Sequence, residues 1–256
     1  MTISRKNTSN YVIFHVNFPK SKHWNTARPG EPLSTQIAHL HEDLERTVGH
    51  LGAGMKDICK VSAYFAPDVS ETELAAAERE LALGFAAANP TYHGVVLPAF
   101  MSDGETVRVE IVALAGDTER RRVQIPWDWP APICYSQGMR CGDVVFAGAQ
   151  LPVSVDATLM HKNNLAAQTH LAMSHMGEVL SALDVGFEHM TKVNAFFTAE
   201  QDLEQWSVNV GIRSSYYVKP GPASTGIETR ALSVPGAMIS VDCMAVAEVT
   251  TQKDNS

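Results

Sequence analysis

Cysteine is scarce in this chain of 256 residues: there are four, at positions 59, 134, 141 and 243. No two form a C-x-x-C pair, so the spacing indicates neither a zinc site nor a thioredoxin-like redox pair. The expectation is a cytoplasmic protein with reduced, mostly buried thiols. Long apolar runs are missing too. No uninterrupted segment approaches the length of a membrane span, and Met1 to Lys6 lack the apolar core of a secretory signal. Positive charge is in deficit. A formal net charge of -8 argues against nucleic acid, whose binders carry a basic patch or stripe. The dense basic run Arg120-Arg121-Arg122 reads as part of a solvated linker. Metal-binding spacing is absent as well: His39 and His41, like His170 and His175, miss the i, i+4 repeat that puts two ligands on one helical face. There is no G-x-S-x-G elbow for a serine hydrolase. The glycine-rich 49–54 stretch follows a helix, whereas a dinucleotide loop follows a strand.

What is present is a repeat. Pro222-Ala223-Ser224-Thr225-Gly226-Ile227-Glu228 precedes Ile239-Ser240-Val241-Asp242-Cys243-Met244-Ala245. Earlier in the chain, Pro90-Thr91-Tyr92-His93-Gly94-Val95 precedes Val107-Arg108-Val109-Glu110-Ile111-Val112-Ala113. Pro90 to Pro222, Gly94 to Gly226 and Glu110 to Asp242 are each 132 residues apart. The register extends to Leu33/Leu165, Gln36/Gln168, Lys60/Lys192, Val61/Val193, Ala63/Ala195 and Phe65/Phe197. A single period of this length indicates a tandem duplication rather than a solenoid, which needs at least three units.

Hydrophobic periodicity then supplies the elements. In the first half, strands are expected over 11–16, 58–66, 92–97 and 107–114, with helices over 33–51 and 70–88. A loop is expected over 19–32. Leu33, Ile37, Leu40, Leu44, Val48 and Leu51 recur at three and four, on one helical face. The second half repeats the order, with strands over 144–149, 189–198, 222–228 and 239–245 and helices over 164–183 and 201–217. Between the halves, 116–130 reads as a linker that packs down through Trp127 and Trp129. The fold class is α+β: two tandem domains, 1–115 and 131–250, each a mixed sheet with two helices on one face. The opposite sheet face needs cover, which points to self-association.

The residues that draw attention are acids inside strands. A carboxylate among apolar neighbours is costly to bury, and desolvation raises its pKa toward the range useful for proton transfer. Asp242 and Glu110 are therefore the candidate general acid/base groups, each weighed against a plain salt bridge. Tyr92 and His93 are adjacent in a strand and point to opposite faces, so only one of them can face a site. Ser224 and Thr225 are either substrate-binding hydroxyls or ordinary strand residues, and Trp206 reads as core.

The second half resembles the RidA/YjgF family of imine and enamine deaminases over nearly its full length. Cys134-Tyr135-Ser136-Gln137-Gly138 resembles the family's opening P-Y-S-Q-A. The stretch from Asp143 to Pro152 (DVVFAGAQLP) resembles N-L-V-F-V-S-G-Q-I-P. Ala167-Gln168-Thr169, the KVNAFF run from Lys192 to Phe197, and Val208-Asn209 fall where the family has similar residues. The first half is similar mainly from Leu33 to Ala113. The resemblance implies a chorismate-mutase-like fold assembled as trimers, with small-molecule sites in clefts between neighbouring domains and no metal or organic cofactor. It implies substrate-binding roles for Tyr135, Gly148 and Gly226; Ser224, Thr225 and Asn209, with Tyr92, His93 and Gly94 in the first half, stand beside them as substrate-binding candidates read from their positions in the repeat. The Gly226 and Gly94 amides would hold a substrate oxygen. Asp242 and Glu110 fall at the position of the acid that activates water.

One departure matters. The family's carboxylate-gripping arginine falls on Ser224 in the second half and Tyr92 in the first, and neither can make a bidentate, charge-assisted grip. Ile3 falls where the first half's tyrosine would be. The expected function is a cofactor-free hydrolase that releases ammonia from a small enamine, imine or related unsaturated acid. The missing arginine points away from simple 2-imino acids, toward a 2-aminomuconate-like or ureido-acrylate substrate. The alternatives are a non-catalytic metabolite-binding or assembly protein and a chorismatase-like enol-ether hydrolase. The expected assembly is a homo-oligomer, a trimer of tandem chains, with no nucleic acid or membrane partner.

Overall fold

A computed structural model of the chain describes residues 30–50, 52–99, 104–116, 118–123, 125, 135–198 and 203–247, and the backbone alone of 3–8 and 11–16. Trp127, Trp129, Cys134 and positions 19–29 of the expected loop lie outside the described residues. An antiparallel hairpin comes first, β1 (Ile3–Thr8) with β2 (Tyr11–Val16). Then follow α1 (Leu33–His50), β3 (Ile58–Phe65), α2 (Glu71–Gly84), β4 (Thr91–Val96) and β5 (Val107–Ala113). β3 and β4 run parallel across the α2 crossover, and β5 returns antiparallel on β3.

After β6 (Arg120–Val123), the second sheet is built by β7 (Gly138–Cys141), β8 (Val144–Gln150), α3 (Leu165–Ala182), β9 (Met190–Phe197), α4 (Leu203–Tyr216), β10 (Ala223–Glu228) and β12 (Ile239–Val246). Its order is β10-β9-β12-β8-β7-β6. The short β11 (Ala231–Leu232) crosses over to pair with β4, so the first sheet reads β11-β4-β3-β5. Both sheets are mixed, as expected.

Local chemistry places the helix ends. Ser70 caps α2: its hydroxyl accepts from the Glu73 amide at 3.3 Å while the Glu73 carboxylate takes the Ser70 amide at 3.0 Å, a capping box. Asn164 caps α3 by accepting from the Ala167 amide at 3.0 Å. α2 ends at Gly84, short of the 88 that periodicity suggested. The turn behind it needs Asn89 at φ 46, in the left-handed region that a helix cannot continue through.

Each sheet buries one face under its helices. Ile37, Leu81 and Phe85 pack on Val61, Ala63 and Phe65, while Met173, Met176 and Leu180 pack on Val193, Ala195, Val241 and Cys243. The other two faces meet within the chain. Val95 joins Phe196, Leu151 and Leu232 in one apolar cluster, and Cys59 joins Met139, Cys141 and Phe146 in another. The face expected to need self-association is thus covered, in these clusters, by the sister sheet.

The segment read as a linker differs from expectation. Residues 120–123 form an edge strand on β7, and the arginine run is not simply solvated. Arg120 pairs with the buried Asp57 at 3.0 Å, and Arg122 donates to the Ala88 carbonyl at 2.8 Å. These arginines tie one half to the other because a partly buried guanidinium with many donors finds backbone and carboxylate acceptors there.

At Gly148 on β8 the backbones of the two halves leave no room for a side chain. A Cβ there would lie 3.0 Å from the Tyr92 carbonyl oxygen and 3.1 Å from its amide nitrogen. Backbone cannot step aside as a flexible side chain can, so Gly148→Ala is expected to destabilise the protein by about 1–3 kcal/mol. Urea unfolding with an unchanged m-value would check this, and an unaltered midpoint would show that the halves yield freely at that point.

Candidate functional site

The sheet ladder slips by one residue opposite Asp242: Val241 pairs with Gln150 but Cys243 with Ala147. Such a bulge re-aims the side chains beside it. Asp242 lies on a central strand, 1 % exposed, and points away from α3 and α4 into the gap between the sheets. Lys60 of β3 reaches it at 2.5 Å and His93 of β4 at 2.6 Å, both from the other half. Asn194 of β9 donates to the same carboxylate at 2.9 Å. His93 continues the chain: with the proton on Nδ1 facing Asp242, its Nε2 accepts from the Ser240 hydroxyl at 2.9 Å. The imidazole edge rests on Phe196, with ring centroids 4.3 Å apart. A carboxylate, an imidazole and a hydroxyl therefore lie in line, the geometric order of a proton relay.

The expectation that burial raises the Asp242 pKa is corrected here. Burial does push it up, but the Lys60 ammonium and the His93 hydrogen bond outweigh that and hold the carboxyl well below the usual range. Asp242 is a fixed anion rather than a group that changes protonation near neutrality.

The cluster reaches the surface in two directions. Lys192 of β9 hydrogen-bonds Thr225 of the edge strand β10. Partial burial lowers the Lys192 pKa, Asp242 opposes that, and Lys60 adds to it. On the other side, the Tyr64 hydroxyl donates to Glu110 at 3.3 Å. Burial raises the Tyr64 pKa, and the charges of Glu110 and Asp242 raise it further. Glu110 is exposed, not desolvated as expected, because β5 is the edge of its sheet.

The remaining expected residues fall into two other groups. Tyr92 faces the helix layer while His93 faces the gap, as strand alternation requires. The Tyr92 ring stacks on Tyr135 with centroids 4.1 Å apart, beside Gly148 and Gly94. The Tyr92 hydroxyl donates to Glu78 at 3.1 Å, and the Ser233 hydroxyl to the same oxygen at 2.5 Å. Burial raises the Glu78 carboxyl to about 7, the two hydrogen bonds pulling the other way. Ser224, Gly226 and Asn209 form the third group, around β10 and α4. Trp206 in that group is 38 % exposed rather than core. The second half's Tyr135 and Gly148 thus meet the first half's Tyr92 and Gly94, not Ser224 and Gly226 of their own half.

Sequence reasoning missed Lys60, Ser240 and Glu78 as members of these groups; Arg213 is, with Arg140 and Arg230, a candidate to replace the missing arginine's charge, without a place in the fold. The signal for Lys60 was available: a lysine inside an apolar strand, repeated as Lys192 one period later. Glu78 follows Leu74 by four on the buried stripe of α2, a core register for an acid. Among the described residues no group of three or more His, Cys, Asp or Glu side chains could hold a metal ion.

A family model described as Endoribonuclease L-PSP matches residues 129–247. This half of the chain belongs to the RidA/YjgF family. A curated relative, Protein DfrA of Myxococcus xanthus, is 25 % identical over 115 residues, covering 44 % of this chain and 85 % of that protein. A solved member of the YjgF/YER057c/UK114 family from Mycobacterium tuberculosis is 20 % identical, with a TM-score of 0.43, over 50 % of this chain and 99 % of its own. A chorismatase structure is 14 % identical but superposes with a TM-score of 0.65 over 86 % of this chain and 72 % of its own. That likeness concerns the fold, and it extends beyond the RidA/YjgF half. Among the described residues no helix is long and apolar enough to cross a membrane.

Two outcomes follow from the electrostatics. Removing one partner of a buried ion pair strands the other, so Lys60→Met is expected to cost roughly 3–5 kcal/mol. Adding Asp242→Asn should recover part of that loss, a coupling a double-mutant cycle in urea will measure; strict additivity would mean the pair is not coupled. Glu78, by contrast, has a folded pKa raised above its unfolded value. Its ionisation therefore leaves stability untouched below about pH 4, and weakens the fold progressively as pH rises toward 7. Glu78→Gln should match wild type at pH 4 and exceed it at pH 8 by on the order of 3 kcal/mol, as read from urea midpoints at the two pH values.

Proposed function

We propose that the chain is a cofactor-free hydrolase that acts on a small enamine, imine or related unsaturated acid and releases ammonia. The observation that carries this reading is the line Asp242–His93–Ser240, assembled from both halves. Asp242 fixes the orientation and tautomer of His93, and His93 carries the mobile proton, the histidine being the side chain suited to proton transfer near neutrality. Protonation at carbon turns the enamine into an iminium. Water then adds to the iminium carbon, the C–N bond breaks, and nitrogen leaves as ammonia, giving the carbonyl product. Glu110, exposed and hydrogen-bonded to Tyr64, orients the water. Lys192 and Thr225 flank the same cluster on its other side.

The reading includes the two-domain division at 1–115 and 131–250. It also includes assembly of like chains through the free outer edge of β10, since an unpaired strand edge invites a partner. A 2-aminomuconate-like substrate fits the absence of an arginine at Ser224 and Tyr92. The second reading is hydrolysis of an enol ether. It calls for the same proton delivery to carbon, and the relay does not distinguish a nitrogen from an oxygen leaving group.

Ammonia release from 2-aminomuconate and from simple 2-imino acids, with wild type and His93→Gln, tests the proposal. The expected result is release from the former, with kcat/KM lowered about 10²-fold or more in the variant. Absence of ammonia from either substrate would overturn the deaminase reading. Conversion of an enol ether under the same conditions would establish the second reading instead. Ligand binding without any turnover would make the chain a binding protein.

A further inference from the structure

Arg213 of α4 is 3 % exposed, yet among the described residues no carboxylate pairs with it. Its Nε donates to the Asn209 side-chain oxygen at 2.6 Å, and Nη1 approaches the Ser224 hydroxyl at 3.4 Å. A guanidinium taken out of water with only neutral partners is costly. Two further buried polar groups belong to the same neighbourhood. The amide nitrogen of Asn209, itself 1 % exposed, has no hydrogen-bond partner, and neither has the Tyr217 hydroxyl. Burial raises the Tyr217 pKa, while the Arg213 charge and the approach of its N–H groups to the phenol oxygen lower it, so the phenol O–H is left as a neutral donor. The two unmet groups can both donate, an amide N–H2 and a phenol O–H, and the guanidinium beside them has neutral hydrogen-bond partners but no counter-charge among the described residues.

The place also has an opening. Ser224 lies on β10, the edge of the six-stranded sheet, and is exposed, as is the neighbouring Gly226. The Trp206 indole nitrogen lies 3.7 Å from where a Gly226 Cβ would be. Strand alternation separates this spot from the Asp242 cluster. Thr225 turns to Lys192 and the gap between the sheets, whereas Ser224 turns to α4.

We infer that Arg213, Asn209 and Tyr217 form an anion site beneath the edge of β10, and that its ligand is the carboxylate of a small organic acid. A planar carboxylate matches the fork of a guanidinium in two parallel hydrogen bonds, leaving the Asn209 amide and the Tyr217 hydroxyl to complete its remaining lone pairs. The site is separate from the Asp242–His93–Ser240 line that carries the proposed reaction, although Ser224 and Asn209 are also expected substrate-binding positions. Binding can fail while turnover persists, and the reverse, so the two readings fall separately.

The test is titration of the full chain with propionate by calorimetry at constant ionic strength, with inorganic phosphate and chloride as comparators. Wild type is expected to bind propionate saturably. Arg213→Met should weaken it about 10-fold or more, the equivalent of one charged hydrogen bond lost, and Tyr217→Phe should weaken it less. Arg213→Met removes a buried unpaired charge, so its thermal midpoint is expected to hold or rise. Should it fail to fold, Asn209→Leu with Tyr217→Phe asks the same question with the guanidinium in place. Equal affinity in wild type and variants, no saturable propionate binding, or equal binding of chloride would each overturn the inference. Tighter binding of phosphate than propionate would overturn the assignment to a carboxylate.

Discussion

The rest of the structure depends on a buried carboxylate that cannot be satisfied by its own half. Asp242 is flanked in its strand by apolar residues; its charge is balanced by Lys60, and His93 hydrogen-bonds it, both from the other sheet. An isolated ion in such a place would neutralise itself or open the fold. Docking of the two sheets and formation of the relay are therefore one event. Apart, each half would expose an apolar face bearing either an unpaired anion or an unpaired cation; together they form a buried interface with a fixed polar centre. The apolar clusters around Phe196 and Phe146 supply the adhesion, and the ions supply the register. A shift of β4 against β12 by one residue would turn His93 away from Asp242.

Strand alternation divides the chemistry of the molecule. On the two parallel crossovers, β3–α2–β4 and β9–α4–β10, one set of side chains enters the helix layers and the next set enters the gap. Tyr92 and Ser224 belong to the first set, His93 and Thr225 to the second. Each half therefore presents a polar group beneath its helix as well as one between the sheets. The environments differ: the β4 strand is covered on one side by β11 and beneath by Glu78, while β10 is open along its outer edge.

Much of this could be read from residues in order, and the limits of the reading have physical causes. The four helices and the long strands follow from apolar periodicity, because burial of one face decides each of them. The short strands β6, β7 and β11 escape it. A two- or four-residue strand carries no period, and β11 exists only because β4 lies beside it. Asp242 drew attention because an acid inside an apolar strand is expensive. Its partners did not, since nothing local reveals that a lysine and a histidine 182 and 149 residues away will meet it. That missing partnership reversed the expected direction of its pKa. Glu110 shows the opposite failure: the same repeat position, placed on an edge strand, meets water.

The two halves have also diverged in sign where they share geometry. One repeat period before Arg213 stands Leu81, and one period after Glu78 stands Val210, so the first half keeps an acid where the second is apolar and the second keeps a base where the first is apolar. Positions 78 and 81 lie three apart on one helical face, and both look onto the strand that carries Tyr92 or Ser224. In the first half the acid is answered by two hydroxyls, Tyr92 and Ser233, and the space is filled by the stacked tyrosine rings. In the second half a serine stands in place of the tyrosine, and among the described residues the base has no acid to answer it. Loss of the ring and gain of the cation act in one direction: the first sets a small hydroxyl beneath an exposed strand, and the second makes that place attractive to a negative charge. A chain that only needed two equivalent supports for its sheets would have had no reason to keep a buried, unanswered arginine under one of them.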